Sequence, residues 1–186
     1  MEIIVGISGA SGVQYGIRLL QVLRQKGCTT HLVITDSAAK IIEVETDRLK
    51  KEVEELADHV YQPRDFAAPF ASGSHLFDAM VIIPCSMGTL SAVACGSSDT
   101  LIARAADVCL KEKRRLVMVT RETPLSLVQL RNMVAAAEAG AVILPACPAF
   151  YSRPKNLDDL VDVLVGRVLD LLGVDNDLYR RWNGDG

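Results

Sequence analysis

Glu2-Ile3-Ile4-Val5-Gly6-Ile7-Ser8-Gly9-Ala10-Ser11-Gly12-Val13-Gln14-Tyr15-Gly16 is the stretch that decides the fold. A short apolar run stops at a cluster of glycine, serine and alanine, and an amphipathic pattern then begins. A run of that length, bounded by turn residues, fits a strand covered on both faces. The pattern over residues 13–26 predicts a helix, with Gly27 just past its end where a left-handed residue usually sits. The same unit recurs along the chain. Strands are predicted at 31–35, 80–84, 116–120 and 141–145, and helices at 38–45, 48–57, 89–94, 102–112, 125–138 and 157–172. Thr123-Pro124 is read as opening the helix after the fourth strand. Alternating strands and helices imply right-handed crossovers, hence an α/β doubly wound parallel sheet in three α/β/α layers. Ligands of such sheets bind beyond the carboxyl ends of the strands, so the chemistry is sought in the segments that follow them.

Composition narrows the class. A chain of 186 residues and 20.2 kDa predicts one domain over 1–186, its tail from about 173 packing near the site or on a neighbouring subunit. Mean hydropathy is +0.23, yet no apolar run nears the ~18 residues of a membrane span, and no basic leader precedes the first strand. A net charge of −3 argues against nucleic acid as partner. Five cysteines with no C-x-x-C pair indicate reduced thiols in the cytoplasm rather than a disulfide frame or a zinc ribbon, and no metal site is read. Cys85 and Cys147, beside prolines, read as small core residues rather than nucleophiles. The acidic stretch 43–58 reads as a solvated helix face, and the basic run 111–115 as a helix end complementing the dipole.

The strand ends carry the candidate chemistry. After the first strand, small residues opening a helix let the backbone approach a phosphate, with Ser8 and Ser11 as further donors. The glycines recur every third residue, which is neither G-x-G-x-x-G nor a P-loop nor a nucleophile elbow. A merely tight turn is the plain alternative. Thr35-Asp36-Ser37 follows the second strand: Asp36 could hold a ribose hydroxyl of a dinucleotide, or Asp36 or Ser37 could cap the helix from residue 38. Ser86-Met87-Gly88-Thr89 after the third strand faces the first turn. Two such turns suggest a ligand with one phosphate and a polar ring system. Upstream, the irregular segment 65–74, with Phe66 and Phe70, could serve as a lid or subunit contact, or cover the core edge. Arg121-Glu122 after the fourth strand suits an anion and a proton, and Tyr151 follows the fifth.

In order along nearly the whole chain, several motifs match one family. They are Gly9-Ala10-Ser11-Gly12 with Tyr15-Gly16, Glu45-Thr46-Asp47, Ala71-Ser72-Gly73-Ser74, Pro84-Cys85-Ser86 with Thr89-Leu90-Ser91, Arg104-Ala105-Ala106-Asp107, Arg121-Glu122 with Pro124, Gly140-Ala141-Val142, and Arg181-Trp182. Together they resemble the flavin prenyltransferase (UbiX) family. The resemblance implies a flavodoxin-like fold and a metal-independent transfer from dimethylallyl monophosphate to reduced FMN, joining C1′ to N5 and C3′ to C6. The product, prenylated FMN, would serve a partner decarboxylase, and the chains would form a homododecamer with shared sites.

By the same resemblance, FMN would be held by Gly9, Ala10, Ser11, Thr35, Ser86, Met87, Gly88, Thr89 and Arg121. The prenyl phosphate would be gripped by Lys111, Arg121, Tyr151 and Arg167. Ser11, Glu45 and Glu122 match residues tied to the chemistry, Trp182 an aromatic near the prenyl group, and Arg104 a family arginine of underived role. Arginine and lysine stabilise charge developing on a leaving phosphate without a metal, while aromatic faces stabilise the allylic cation and exclude water. Two positions depart from the family pattern: Phe66 stands where tryptophan is frequent, and Met87 where threonine is.

Three other activities are weighed. An FMN-dependent cysteine decarboxylase needs a histidine where alignment puts Phe70; His75 is out of register, and His31 and His59 read as a strand residue and a helix-end residue. A non-catalytic FMN carrier needs no second phosphate site. An NAD-dependent reductase rests on Asp36 alone.

Overall fold

The structure, a computed structural model, describes residues 1–184. Six strands form one parallel sheet in the order β3-β2-β1-β4-β5-β6. They are β1 (Glu2–Ile7), β2 (Thr29–Ile34), β3 (His59–Tyr61), β4 (Ala79–Cys85), β5 (Arg115–Thr120) and β6 (Val142–Ile143). The helices are α1 (Val13–Gln25), α2 (Asp36–Glu45), α3 (Lys50–Glu54), α4 (Met87–Ala94), α5 (Leu101–Lys111), α6 (Leu127–Glu138) and α7 (Leu157–Leu172). Without the three-residue edge strand β3, the order is the 2-1-3-4-5 of flavodoxin-like sheets. Among the described residues no helix is long and apolar enough to cross a membrane.

The strands are apolar throughout because both faces are covered. Ile3, Val5 and Ile7 of β1 meet Leu19, Leu20 and Leu23 of α1 and Val165, Val168 and Leu169 of α7. On the other face Ile4, Met80, Ile82 and Met118 meet Leu90, Ile102, Ala105 and Cys109 of α4 and α5. Gly16 allows the first helix to lie close: a Cβ there would press on the Ile83 carbonyl oxygen and the Ile7 side chain. The backbone of β4 thus sets how near α1 can come.

Several boundaries differ from the sequence expectation; β6 is confined to Val142–Ile143 rather than 141–145, and α4 starts at Met87 rather than at residue 89. Residues 48–57 are helical only over Lys50–Glu54, and His59 belongs to β3 rather than to a helix end. A three-residue edge strand, mostly exposed, has no apolar run to mark it. Helix α6 does not open at Thr123-Pro124. Ser126 caps it, accepting from the Gln129 N–H while the Gln129 side chain accepts from the Ser126 N–H. Helix α2 begins at Asp36, and Thr35, not Asp36 or Ser37, is its cap.

Candidate functional site

Three turns meet at the carboxyl edge of the sheet. Ser8 Oγ donates to the Pro84 carbonyl at 2.9 Å and accepts from the Ser86 N–H at 2.8 Å. The Ser8 N–H also reaches the Pro84 carbonyl, at 3.2 Å. Ser8 is fully buried, so its hydroxyl is a clamp between the turns after β1 and β4 and not a ligand donor as expected from sequence. Ser86 caps α4, accepting from the Thr89 N–H at 3.3 Å and donating to Thr89 Oγ1 at 3.1 Å. The third turn comes in through Ser37, whose side chain occupies the space a Cβ on Gly9 would need. Gly9, Ala10, Ser11, Thr35 and Ser86 through Thr89 are thereby brought to one place, where a Cβ on Gly88 would meet only the Ser86 hydroxyl, at 4.0 Å. Asp36 lies exposed in the first turn of α2.

Glu45, at the end of α2, folds back over the first turn. Its carboxylate accepts from the Gly12 N–H at 2.8 Å and the Val13 N–H at 3.4 Å. Two backbone donors at the start of α1 therefore already serve a carboxylate, which suits the positive end of a helix dipole. The N–H groups of Ala10, Ser86 and Thr89 are likewise engaged within the turns, so the seat is left to the other donors of residues 9–11 and 86–89.

Beside this seat, Thr120, Arg121, Glu122 and Cys147 line a cavity of about 270 Å³. Arg121 is anchored by its N–H to the Cys85 carbonyl, while its side chain is exposed. Burial raises the Tyr15 phenol above its ordinary pKa, the Cys147 thiol adds to this, and the Arg121 guanidinium opposes it. Tyr15, Cys147 and Arg121 are thus electrostatic neighbours. Thr120 Oγ1 is buried without a hydrogen-bond partner in the structure. Cys147 is exposed, contrary to the core position expected from its prolines, because the turn after β6 has nothing above it in the single chain. Cys85 is buried as expected, and burial pushes its thiol far up, out of the range of a nucleophile.

A second group forms where the tail returns. Tyr151 meets Trp182 edge to face, ring centroids 5.8 Å apart, at the rim of a cavity of about 220 Å³. Arg167 on α7 feels the charge of Tyr151 and reaches Asp170 at 3.3 Å and Tyr179 at 3.4 Å. Asp170 also accepts from Tyr179 at 2.6 Å and pairs with Arg181 at 2.6 Å. Burial opposes its ionisation, but hydrogen bonds from Arg181, Tyr179 and Asn176 prevail and bring its pKa down to about 2. The described tail, 173–184, is tied to α7 chiefly through this carboxylate, with further bonds from Asn176 Nδ2 to the Gly166 carbonyl and from Arg167 to Tyr179; residues 185 and 186 of the expected tail lie outside the described residues.

Lys111 and Phe66 are not brought to these groups within one chain. Lys111 ends α5 at the amino side of the sheet, beside Glu112 and Gly73. Arg121 follows β5, whose six residues span roughly 20 Å. Phe66 leaves β3 and Tyr151 leaves β6, the two opposite edge strands. The segment 62–78 runs down α5. The Leu101 N–H donates to the Pro63 carbonyl, and Arg104 Nε donates to the Ala71 carbonyl at 2.9 Å. Arg104 also pairs with Asp107, so its place is that of a strut for this segment. The sequence reading missed Tyr15, Thr120 and Asp170. Asp170 had a local signal, lying three residues after Arg167 on one helix.

A parallel sheet wound on both faces, with its ligand-facing turns gathered at one edge, makes this a flavodoxin-like α/β protein. The family model described as Flavoprotein matches residues 1–169. Flavin prenyltransferase UbiX of Thermoplasma acidophilum is 53% identical over 182 residues, covering 98% of this chain and 100% of that one. The chain therefore belongs to the Flavoprotein family and, within it, to the flavin prenyltransferases. The crystal structure of AnUbiX in complex with FMN and dimethylallyl pyrophosphate superposes with a TM-score of 0.98 at 49% identity, covering 100% of this chain and 98% of that one. A dodecameric FMN-dependent Ubix-like decarboxylase from Escherichia coli O157:H7 gives 0.96 at 46% identity, covering 99% of this chain and all of that one.

The cysteine-decarboxylase alternative loses its histidine. Phe70 is fully buried, edge to face with Tyr61 and His31, and His75 is bonded to Glu2 on the amino side.

Proposed function

We infer that this chain transfers a dimethylallyl group from dimethylallyl monophosphate to reduced FMN, with no metal in the reaction, and supplies prenylated FMN to a partner decarboxylase. The observation that carries this is identity of about half to flavin prenyltransferases over both full lengths, together with the residues at the carboxyl edge. FMN fits those residues on two counts. The turns after β1 and β4 form a seat narrowed by Ser37 and open at Gly88, and the orphaned Thr120 hydroxyl needs a polar partner such as a flavin edge. Gly9, Ala10, Ser11, Thr35, Ser86, Met87, Gly88, Thr89 and Arg121 would hold it. Bound in reduced form, FMN supplies the N5 and C6 positions that receive the two ends of the allyl group.

Arg121, Arg167 and Lys111 stabilise the charge that develops on the departing phosphate, and Tyr151 donates to it. Phe66 and Trp182 would shield the allyl group from water, the departed phosphate or a glutamate (Glu45 or Glu122) would take the C6 proton, and Ser11 would orient the reacting partners. Lys111 and Phe66 act in a neighbouring chain's site, since one chain holds them away from Arg121 and Tyr151. We propose a dodecamer on this ground. Residues 121–128 are all exposed, and Leu127, Val128, Leu130 and Val134 put an apolar face of α6 on the surface, where a second chain would cover it. Five free thiols suit a reducing, cytoplasmic setting.

The test is mass spectrometry of the flavin after anaerobic incubation with reduced FMN and dimethylallyl monophosphate. Reduced FMN should gain the mass of one dimethylallyl group less the hydrogen it replaces, with phosphate released; recovery of unmodified FMN overturns the activity.

A further inference from the structure

Far from the turns, the amino half of the sheet gathers all three histidines of the chain. β1 begins with Glu2, and the pairing of Ile4 with His31 sets the His31 ring on the same face as the Glu2 side chain. His75 comes from the segment before β4. Glu2 Oε1 lies 2.9 Å from His31 Nε2 and 2.7 Å from His75 Nε2. The three candidate ligand atoms are all within 4.8 Å of one another.

The surroundings hold this group still. The His31 ring stacks on His59 at 4.8 Å and meets Phe70 edge to face at 5.6 Å. Its Nδ1 is 3.2 Å from the Tyr61 hydroxyl. The Glu2 N–H donates to Asp78 at 2.7 Å. Arg114 donates to the carbonyls of His75 and Gly73, both at 2.7 Å, with its guanidinium over the Phe77 ring. The His31 side chain is buried at 7% exposed, whereas those of Glu2 and His75 are each 31% exposed, so the cluster opens to solvent on one side.

We propose that Glu2, His31 and His75 bind a divalent transition-metal ion of the zinc class. Two imidazoles and a carboxylate are a donor set that such ions take in preference to magnesium or calcium. Three protein ligands leave a fourth, solvent-facing position for water. Ligand atoms around a tetrahedral zinc lie roughly 3.3 Å apart, so Glu2 must open from both rings by about half an ångström while the two imidazole nitrogens, within 4.8 Å of one another, close toward that spacing, movements that the exposure of Glu2 and His75 permits. With Glu2 ionised and both imidazoles neutral, each ring donates from Nε2 to the one carboxylate oxygen, which leaves His31 Nδ1 to accept from Tyr61. With a metal on Nε2, the His31 proton sits on Nδ1 and donates to the Tyr61 oxygen, the outer partner that orients a ligating imidazole. The ion would tie β1, β2 and the segment before β4 together, on the side of the sheet opposite Arg121.

Equilibrium dialysis of the full-length, FMN-loaded protein against zinc, with metal content measured, tests this. Wild type and His59→Ala should each hold one equivalent per chain more than His75→Ala and Glu2→Gln. In those two variants the affinity should drop by at least the roughly 10–100-fold that even outer partners command. The exposed Cys95 and Cys147 are unchanged throughout and contribute equally. Zinc should also raise the unfolding temperature of wild type more than that of Glu2→Gln, which keeps the shape of the side chain. Equal zinc content and equal thermal shifts across wild type, His75→Ala and Glu2→Gln would overturn the proposal and leave a hydrogen-bonded cluster only.

Discussion

The turn after β1 and the segment after β5 leave the same edge of the same sheet, yet they are built oppositely. Ser8 is buried with both sides of its hydroxyl engaged, and Gly12 and Val13 donate to Glu45. Residues 121–128 are exposed without exception, and Arg121 has only its backbone anchored. The first region is finished within one chain, as a seat for a phosphate-bearing ring system must be if it is to be rigid. The second is left open, and under the proposed function it is the half of the site that other chains would complete. The binding of FMN and the transfer of the prenyl group should therefore respond separately to mutation.

The largest effect expected is on transfer. Arg167→Ala should lower anaerobic single-turnover prenylation about a hundredfold, about 3 kcal/mol of barrier, while FMN occupancy measured by absorbance stays near wild type. Arg121→Ala should reduce both, and Arg167→Lys should rescue only in part, because a point charge does not reproduce a planar fork. Mixed oligomers of Arg167→Ala and Lys111→Ala should regain activity that neither has alone. Absence of any recovery would mean that the open half is completed within one chain.

A smaller effect separates the two regions by stability. Ser8→Ala leaves the Pro84 carbonyl and the Ser86 N–H without their shared hydroxyl in a buried place, a cost of about 1–3 kcal/mol. Ser126→Ala, in the exposed segment, removes a helix cap worth about 1 kcal/mol. Thermal unfolding of FMN-free protein should rank Ser8→Ala below Ser126→Ala, and the reverse order would break the contrast.

The smallest concerns the tail. Asp170 is held at about pKa 2 by Arg181, Tyr179 and Asn176 against the cost of burial, well below the ~3.9 of an unfolded chain. A carboxyl depressed in the folded state stabilises fully above its unfolded pKa and loses that contribution as pH falls toward its folded one. Acid unfolding followed between pH about 4 and about 2 should be shallower in Asp170→Asn. Its partners Arg167 and Arg181 are more than half exposed, so solvent screens the pairs and the change is modest.

What the sequence determined by itself is whatever has a local period or cap. The runs beginning at Ile3, Met80 and Leu116 are strands because an apolar stretch buried on both faces is written contiguously. Helix α7 appears over Leu157–Leu172 as expected, since its apolar repeat and the Asn156 cap are both local. The small-residue turns were equally legible, and so was their convergence at one edge, which follows from parallel strands. Only the tertiary structure decided which hydroxyl would be a clamp, that Cys147 would face solvent, and that β3 exists as a strand at all. It also decided that Lys111 stands a strand's length from Arg121, and that Glu2, His31 and His75 share one corner. None of these has a sequence period. Each depends on how far apart the closed sheet holds two segments, and that distance is fixed by strand order, register and the packing of both helical layers together.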